Sequence, residues 1–81
     1  MLYLVNKNAQ IETGDHKIHK ITCKRKPKDI NVIKLKDVYD SKVALCEAKK
    51  YFFNVDGCKY CCPEIYLEKI KRNRHLIILK K

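Results

Sequence analysis

The stretch GCKYCCP, residues 57–63, decides how this chain is expected to fold. Cys58 and Cys61 stand three residues apart, and this Cys-x-x-Cys spacing is typical of a tight turn that aims two sulfur atoms at one metal ion. Gly57 allows the backbone to turn sharply before the first cysteine. Pro63 suits the first turn of a helix, where its missing N–H has no partner to lose. The stretch therefore predicts a metal-binding turn followed by a helix.

A second pair of candidate ligands lies upstream, in the segment HKIHKITC, residues 16–23. His19 and Cys23 are four residues apart, and residues at that spacing share one face of either a strand or a helix. Zinc commonly takes four nitrogen and sulfur ligands in a tetrahedron, often as two close pairs from separate segments. The sequence thus predicts one zinc ion with the ligands His19, Cys23, Cys58 and Cys61.

Neighbouring residues compete for places in this site. Cys62 competes with Cys61, which we favour because a Cys-x-x-Cys turn closes better on one ion than a Cys-x3-Cys turn. His16 is a minor candidate, since an offset of three from His19 on a strand turns it to the other face. Cys46 lies opposite the apolar stripe of its predicted helix, so we expect a spare thiol there.

Two other interpretations of the cysteines remain open. Cys58 and Cys61 could form a redox pair like that of thioredoxin, but such a motif follows a strand, whereas a predicted helix precedes this one. A redox pair also leaves His19 and Cys23 unexplained. The plainest alternative makes the cysteines buried hydrophobic residues and His19 a surface residue.

The length of the chain makes a metal plausible as a stabilising element. Its 81 residues are expected to form a single domain, 1–81, with the basic segment 69–81 less ordered. A domain this small buries only about two thirds of its surface and usually needs a disulfide, a metal or a partner. The longest apolar runs have four residues, where a membrane span needs roughly 20, and no signal-peptide pattern is apparent. We therefore expect a cytoplasmic protein without membrane contact, whose five reduced cysteines favour metal over disulfides.

Patterns of apolar residues predict an α+β fold. It comprises a small antiparallel sheet of two to three short strands and two helices around a structural zinc site. Strands are indicated at residues 2–5, 16–23 and 30–36, and the polar segment 8–15, which contains Gly14, is expected to form a hairpin loop between the first two. One helix is indicated at residues 41–53, with an N-cap at Asp40 or Ser41, and the segment from Asn54 to Gly57 is expected to end it. A second helix is expected to begin at Pro63.

The chain is strongly basic, with a formal net charge of +10. Clustered lysines and arginines can neutralise phosphates, so DNA or RNA is a candidate partner, although a charged surface alone would look the same. Tyr60 is the one ring we expect to be exposed for base stacking, while residues 51–53 are interpreted as helix core. The candidate nucleic-acid-binding residues are Lys20, Lys24, Arg25, Lys26, Lys28, Lys71, Arg72 and Arg74.

The pattern His19-x3-Cys23, then Gly57-Cys58-x-x-Cys61-x-Pro63, resembles the small zinc module related to the metal-binding domain of the Ada DNA-repair protein. The resemblance covers residues 16–63 and implies a bacterial protein with a small sheet and helices around a structural zinc. Ada uses four cysteines, one of which accepts a methyl group from DNA phosphate. Here His19 takes the place of one cysteine, which reduces the charge and the sulfur nucleophilicity of the site.

Three functions follow as expectations from these features. The favoured one is a non-catalytic zinc module that binds nucleic acid or a protein partner through basic surfaces. The second is a zinc-thiolate alkyl acceptor of the Ada type, with Cys23 or Cys61 as nucleophile. The third is a purely structural protein that holds metal but binds no nucleic acid.

Overall fold

One mixed sheet of four short strands organises the computed structural model, which describes residues 1–67. The strands in chain order are β1 Tyr3–Asn6, β2 His16–Lys20, β3 Val32–Lys34 and β4 Val55–Gly57. Across the sheet the order is β3-β1-β2-β4. β1 is antiparallel to both of its neighbours, whereas β2 and β4 run parallel. The predicted antiparallel sheet of two to three strands is therefore wrong.

The β1–β2 hairpin matches the sequence prediction closely. Val5 lies opposite Ile18 and Leu4 opposite His19 in the antiparallel register. The connection turns at Gly14, whose φ of 74° lies in the left-handed region that glycine adopts without strain. The Gly14 N–H donates to the Gln10 carbonyl at 2.8 Å, which closes the turn.

The helix α1 spans Ser41–Ala48 and begins where the sequence predicts. Asp40 is the N-cap, and its Oδ1 accepts a hydrogen bond of 3.1 Å from the Val43 N–H. The helix ends five residues before the predicted limit at Phe53, because the chain must turn back to add Val55 to the sheet. As a result Phe53 is almost fully exposed, at 95%, rather than part of the core.

The predicted second helix is wrong for the residues that the structure describes. Pro63–Ile65 form only a 3₁₀ turn, and Tyr66 is already extended, with φ −80° and ψ 116°. The reason is a side-chain contact with the sheet: the Leu67 N–H donates to Asp56 Oδ1 at 2.8 Å and holds this segment across β4. Between residues 1 and 67, α1 is thus the single α-helix.

Gly57 does not end a helix, as its position after the predicted helix suggested. It is the last residue of β4 and does not adopt a left-handed conformation. A Cβ at this position would lie 2.7 Å from the Cys62 carbonyl oxygen and in hard contact with the Ile65 side chain. The glycine therefore lets the turn of residues 58–65 fold tightly back onto the strand.

The apolar core lies between one face of the sheet and α1. Ala44 and Ala48 pack there with residues that alternate along the strands, and Ile65 closes the end of the cluster. Small alanine side chains allow the helix to approach the sheet closely. The buried strand residues of this cluster are Tyr3, Val5, Ile18 and Val55.

The C-terminal part of the chain lies outside the described residues. The prediction for the basic segment 69–81 therefore stays a prediction. Within residues 1–67, no helix is both long and apolar enough to cross a bilayer.

Candidate metal centre

The parallel pairing of β2 with β4 brings the two predicted half-sites together. Ile18 lies beside Gly57 in the register, and the Cys58 N–H continues the ladder by donating to the Ile18 carbonyl at 2.9 Å. Side chains alternate between the faces of a strand, so His19 and Cys58 both fall on the face opposite α1. The hairpin supplies the first half-site and the turn after β4 supplies the second.

Four potential ligand atoms converge at this point. One atom each from His19, Cys23, Cys58 and Cys61 lies within 4.8 Å of all the others. Cys61 Sγ is 4.0 Å from Nδ1 of His19. These side chains lie close enough together to hold one metal ion.

Cys23 reaches the cluster from the loop after β2. Strand β2 ends at Lys20, earlier than the predicted strand of residues 16–23. A turn follows, in which the Cys23 N–H donates to the Lys20 carbonyl at 2.9 Å. This turn curls the chain back, so that the thiol of Cys23 is buried beside His19 instead of extending along the strand.

Backbone N–H groups point at two of the sulfur atoms. The Lys20 N–H donates to Cys61 Sγ at 3.3 Å, and the Tyr60 N–H donates to Cys58 Sγ at 3.4 Å. Such donors stabilise negative charge on sulfur and fix the position of each side chain. The first of these bonds also ties the two half-sites to each other.

The protonation tendencies of two residues suit metal binding. Burial, helped by the charge of Lys17, lowers the pKa of His19, so that its imidazole is neutral and can act as a ligand. Burial opposes ionisation of Cys58, but hydrogen bonds from the Cys61 and Tyr60 backbone outweigh it and lower the pKa of that thiol. Both residues thus favour the form that coordinates a cation.

The pKa of the Cys61 thiol shifts in the opposite direction from that of Cys58. Burial raises the pKa of the Cys61 thiol, and the Lys20 N–H offsets this only in part. Neighbouring sulfur atoms add to the effect, because several thiolates cannot be charged side by side without compensation. A coordinated divalent ion supplies that compensation and deprotonates a ligating thiol outright.

Of the remaining candidates, His16 and Cys46 lie apart from the cluster, whereas Cys62 adjoins it. His16 stacks on Phe52, with ring centroids 3.7 Å apart, and its Nδ1–H donates to the Asn6 carbonyl at 2.9 Å. Cys46 is exposed on α1. Cys62 is buried in the apolar core, although its Sγ lies 3.7 Å from that of Cys61.

A buried ion pair next to this site was not predicted from the sequence. Lys17 and Asp56 are only 5% and 1% exposed, and their Nζ and Oδ2 atoms are 2.8 Å apart. They are neighbours in the parallel register and share the face that carries His19. The pattern Val55-Asp56-Gly57 gave no signal, since a charged residue before glycine usually indicates a surface turn.

Five of the candidate nucleic-acid-binding residues lie at the end of β2 and in the loop that follows it. Arg25, Lys24 and Lys28 are exposed in the loop after β2, whereas Lys20 and Lys26 are half-buried. Lys26 also lies 3.9 Å from Asp29, which partly offsets its charge. The others, Lys71, Arg72 and Arg74, lie outside the described residues.

Comparison with known proteins adds no further assignment. No family model, no curated protein and no solved structure matches this chain. The assignment of a function therefore depends on the geometry and chemistry of the site.

Proposed function

We propose that this chain is a small zinc-binding module in which the ion is structural and the surrounding basic surface binds nucleic acid. The observation that carries the proposal is the convergence of His19, Cys23, Cys58 and Cys61 within 4.8 Å. The ion would join the β1–β2 hairpin to the turn after β4.

The donor set favours zinc over other metals. Three thiols and one imidazole are soft or borderline ligands, and zinc accepts this combination in a tetrahedron, whereas magnesium and calcium prefer oxygen. Zinc–sulfur bonds of about 2.3 Å place tetrahedral ligand atoms roughly 3.8 Å apart. The cluster would contract slightly around the ion. A reducing compartment such as the cytoplasm would keep the thiols available.

The ligand set supports a structural role. Four protein ligands leave no open position for water or substrate, unlike catalytic zinc sites with three. The four-residue group also contains no carboxylate that could serve as a general base. The resemblance to Ada-type zinc modules fits this proposal, but the imidazole of His19 in place of a thiolate makes methyl acceptance a poor fit.

The position of the basic loop supports nucleic acid as the partner. The loop of residues 24–28 follows the ligand Cys23 directly, so the metal would fix the start of the loop. Arg25 and the two exposed lysines of this loop add to a formal net charge of +10 over the whole chain. Surface cations held on a rigid frame can replace the counterions of a phosphate backbone.

Mass spectrometry under native and acidified conditions tests the metal. We expect one zinc ion per chain in the native spectrum and none in acid, because protonated thiols no longer bind. Cys58→Ser should lose the ion, whereas the matched control Cys46→Ser should keep it. A native spectrum of the folded, reduced protein without zinc, even after the ion is supplied, would contradict the proposal.

Fluorescence anisotropy at several salt concentrations tests the partner. We expect binding to unrelated DNA and RNA sequences that weakens steeply as salt increases, because counterion release drives the association. Zinc-loaded protein that shows no binding at low salt would refute the nucleic-acid part and leave a structural metal protein. A mass increase at a cysteine after incubation with alkylated DNA would instead indicate the alkyl acceptor.

A further inference from the structure

An open cleft of about 340 Å³ lies directly beside the candidate metal centre. His19 and Cys58 form part of its wall, so the metal would set the shape of the cleft. Its volume is at the lower end of the range for ligand sites, which is about 300–1,000 Å³. It can therefore hold one planar group with its attached polar parts, but it is too small for a double helix.

The charge of the cleft favours an anion. Three of its lining residues are the cations Lys17, Arg25 and Lys59, and none is a carboxylate. Lys17 is neutralised by Asp56. Arg25 and Lys59 are exposed, and neither is paired with a carboxylate anywhere in residues 1–67. Two cations are thus available at the mouth of the cleft.

An aromatic ring stands at the same place. The guanidinium carbon of Arg25 lies 3.8 Å from the centroid of the Tyr60 ring, and Lys59 Nζ lies 5.8 Å from it. Tyr60 as a whole remains 60% exposed despite these contacts. In the sequence, Tyr60 lies between the candidate ligands Cys58 and Cys61, and its backbone N–H donates to Cys58 Sγ. The turn that carries these ligands therefore fixes the backbone of Tyr60. The guanidinium lies over the ring, and the pair offers a platform on which a base could stack.

We propose that this cleft binds one nucleotide of a single-stranded nucleic acid. The base stacks on the Tyr60–Arg25 platform, and the phosphate lies against Lys59 and Arg25. Amide groups of Asn6 and Gln10, which also line the cleft, can pair with the edge of the base. The inference rests on the proposed function. It specifies that the basic surface binds single-stranded nucleic acid, and it names the residues that would favour a single strand.

The first test removes the ring and measures anisotropy with a labelled oligothymidylate strand. Tyr60→Leu should weaken binding by at least about fivefold, since stacking on one ring contributes that much per base. Tyr60→Phe should bind nearly as well as the unchanged protein. The control is Tyr51→Leu, whose ring is similarly exposed, at 54%, but does not line the cleft. Equal losses for the Tyr60→Leu and Tyr51→Leu variants would overturn the inference.

The second test separates local from overall charge. Lys59→Gln and Lys42→Gln lower the net charge equally, but Lys42 is exposed on α1 and does not line the cleft. Lys59→Gln should reduce the slope of log affinity against log salt by about 0.7, which corresponds to one single-strand phosphate contact. Lys42→Gln should leave the slope nearly unchanged. An equal change in both variants would assign the effect to net charge and overturn the inference.

The third test varies the ligand. The strand should bind more tightly than a duplex of the same sequence, because paired bases cannot stack on the Tyr60 ring. Binding of the duplex that is equally tight or tighter would overturn the inference while nucleic-acid binding itself stands. Failure of the unchanged protein to bind any nucleic acid would instead refute the proposed function.

Zinc content and thermal unfolding of every variant are measured in the same preparations. If the Tyr60→Leu variant loses zinc, the Arg25→Lys variant replaces it as the test. Arg25 lies outside the turn of residues 58–65, and lysine keeps the positive charge while removing the flat guanidinium. Arg25→Lys should then weaken strand binding at least about threefold with unchanged zinc content. Unchanged strand affinity would overturn the inference.

Discussion

The two faces of the sheet are stabilised by different physical means. On the face covered by α1, Val5, Ile18 and Val55 pack against two alanines of the helix, as in an ordinary hydrophobic core. The other face carries Lys17, His19 and Asp56, which are all buried although all are polar or ionisable. The second face also buries Leu4, but its specific contacts are an ion pair and a cluster of side chains that could hold a metal ion.

This difference shows why so short a chain can have a defined structure. An eight-residue helix covers little area, so the apolar layer alone gives a small hydrophobic stabilisation. Specific bonds on the other face connect segments that are far apart in sequence, such as residues 17 and 56. The comparison predicts that changes on the polar face cost more stability than comparable changes on the helix face.

Loss of the proposed zinc ion should have the largest effect. Zinc contributes about 10–16 kcal/mol in other small zinc domains, which is as large as the total stability of a typical domain. We expect Cys58→Ser, or a chelator added to the unchanged protein, to abolish the cooperative thermal transition followed by circular dichroism. Cys46→Ser should melt like the unchanged protein. Equal melting of the two serine variants would show that the apolar face is sufficient.

Breaking the buried ion pair should have the next largest effect. Lys17→Met leaves the Asp56 carboxylate buried without its cation, which costs about 3–5 kcal/mol. The double variant Lys17→Met with Asp56→Asn should recover most of this loss, because neither member of the pair is then charged and the amide oxygen can still accept the Leu67 N–H. Urea unfolding of zinc-loaded protein measures both variants. If the double variant is as unstable as the single one, the pair does not act through charge burial.

The sequence was sufficient to predict the local features of both faces. Spacing alone grouped His19 with Cys23 and Cys58 with Cys61, and the polar segment with Gly14 indicated the hairpin. Asp40 was recognisable as an N-cap because its short side chain precedes a helical stripe. Each of these features depends on residues that are near one another in the chain.

Features that depend on distant segments could not be predicted. Nothing local indicates that Val55–Gly57 adds to β2 in parallel, since three residues carry too little periodicity. The missing second helix has the same origin, because the hydrogen bond from Leu67 to Asp56 overrides the preference for a helix after Pro63. Residues 51–53 were assigned to the core because the helix was assumed to continue, whereas Tyr51 and Phe53 are exposed.

A smaller effect is expected where the two faces meet, at Gly57. Gly57→Ala would place a methyl group 2.7 Å from the Cys62 carbonyl oxygen and against Ile65. Such overpacking costs about 1–3 kcal/mol and would shift the metal turn. Gly14→Asn is the control, because nothing lies within 4 Å of the new Cβ and asparagine tolerates the left-handed conformation. Equal urea midpoints for the two variants would contradict the close packing of the turn.

The smallest effect concerns the helix face alone. Asp40→Ala removes the acceptor for the Val43 N–H and should cost about 1 kcal/mol, while Asp40→Ser should restore most of it. Asp40 is not among the candidate ligands, yet the apparent zinc affinity should also fall, by about fivefold, in a competition titration with a chelator. The reason is linkage: if the metal-free chain is unfolded, the ion must supply the free energy that the helix no longer contributes. Lower stability with unchanged zinc affinity would show instead that the metal-free sheet and helix stay folded, and that the two faces are energetically independent.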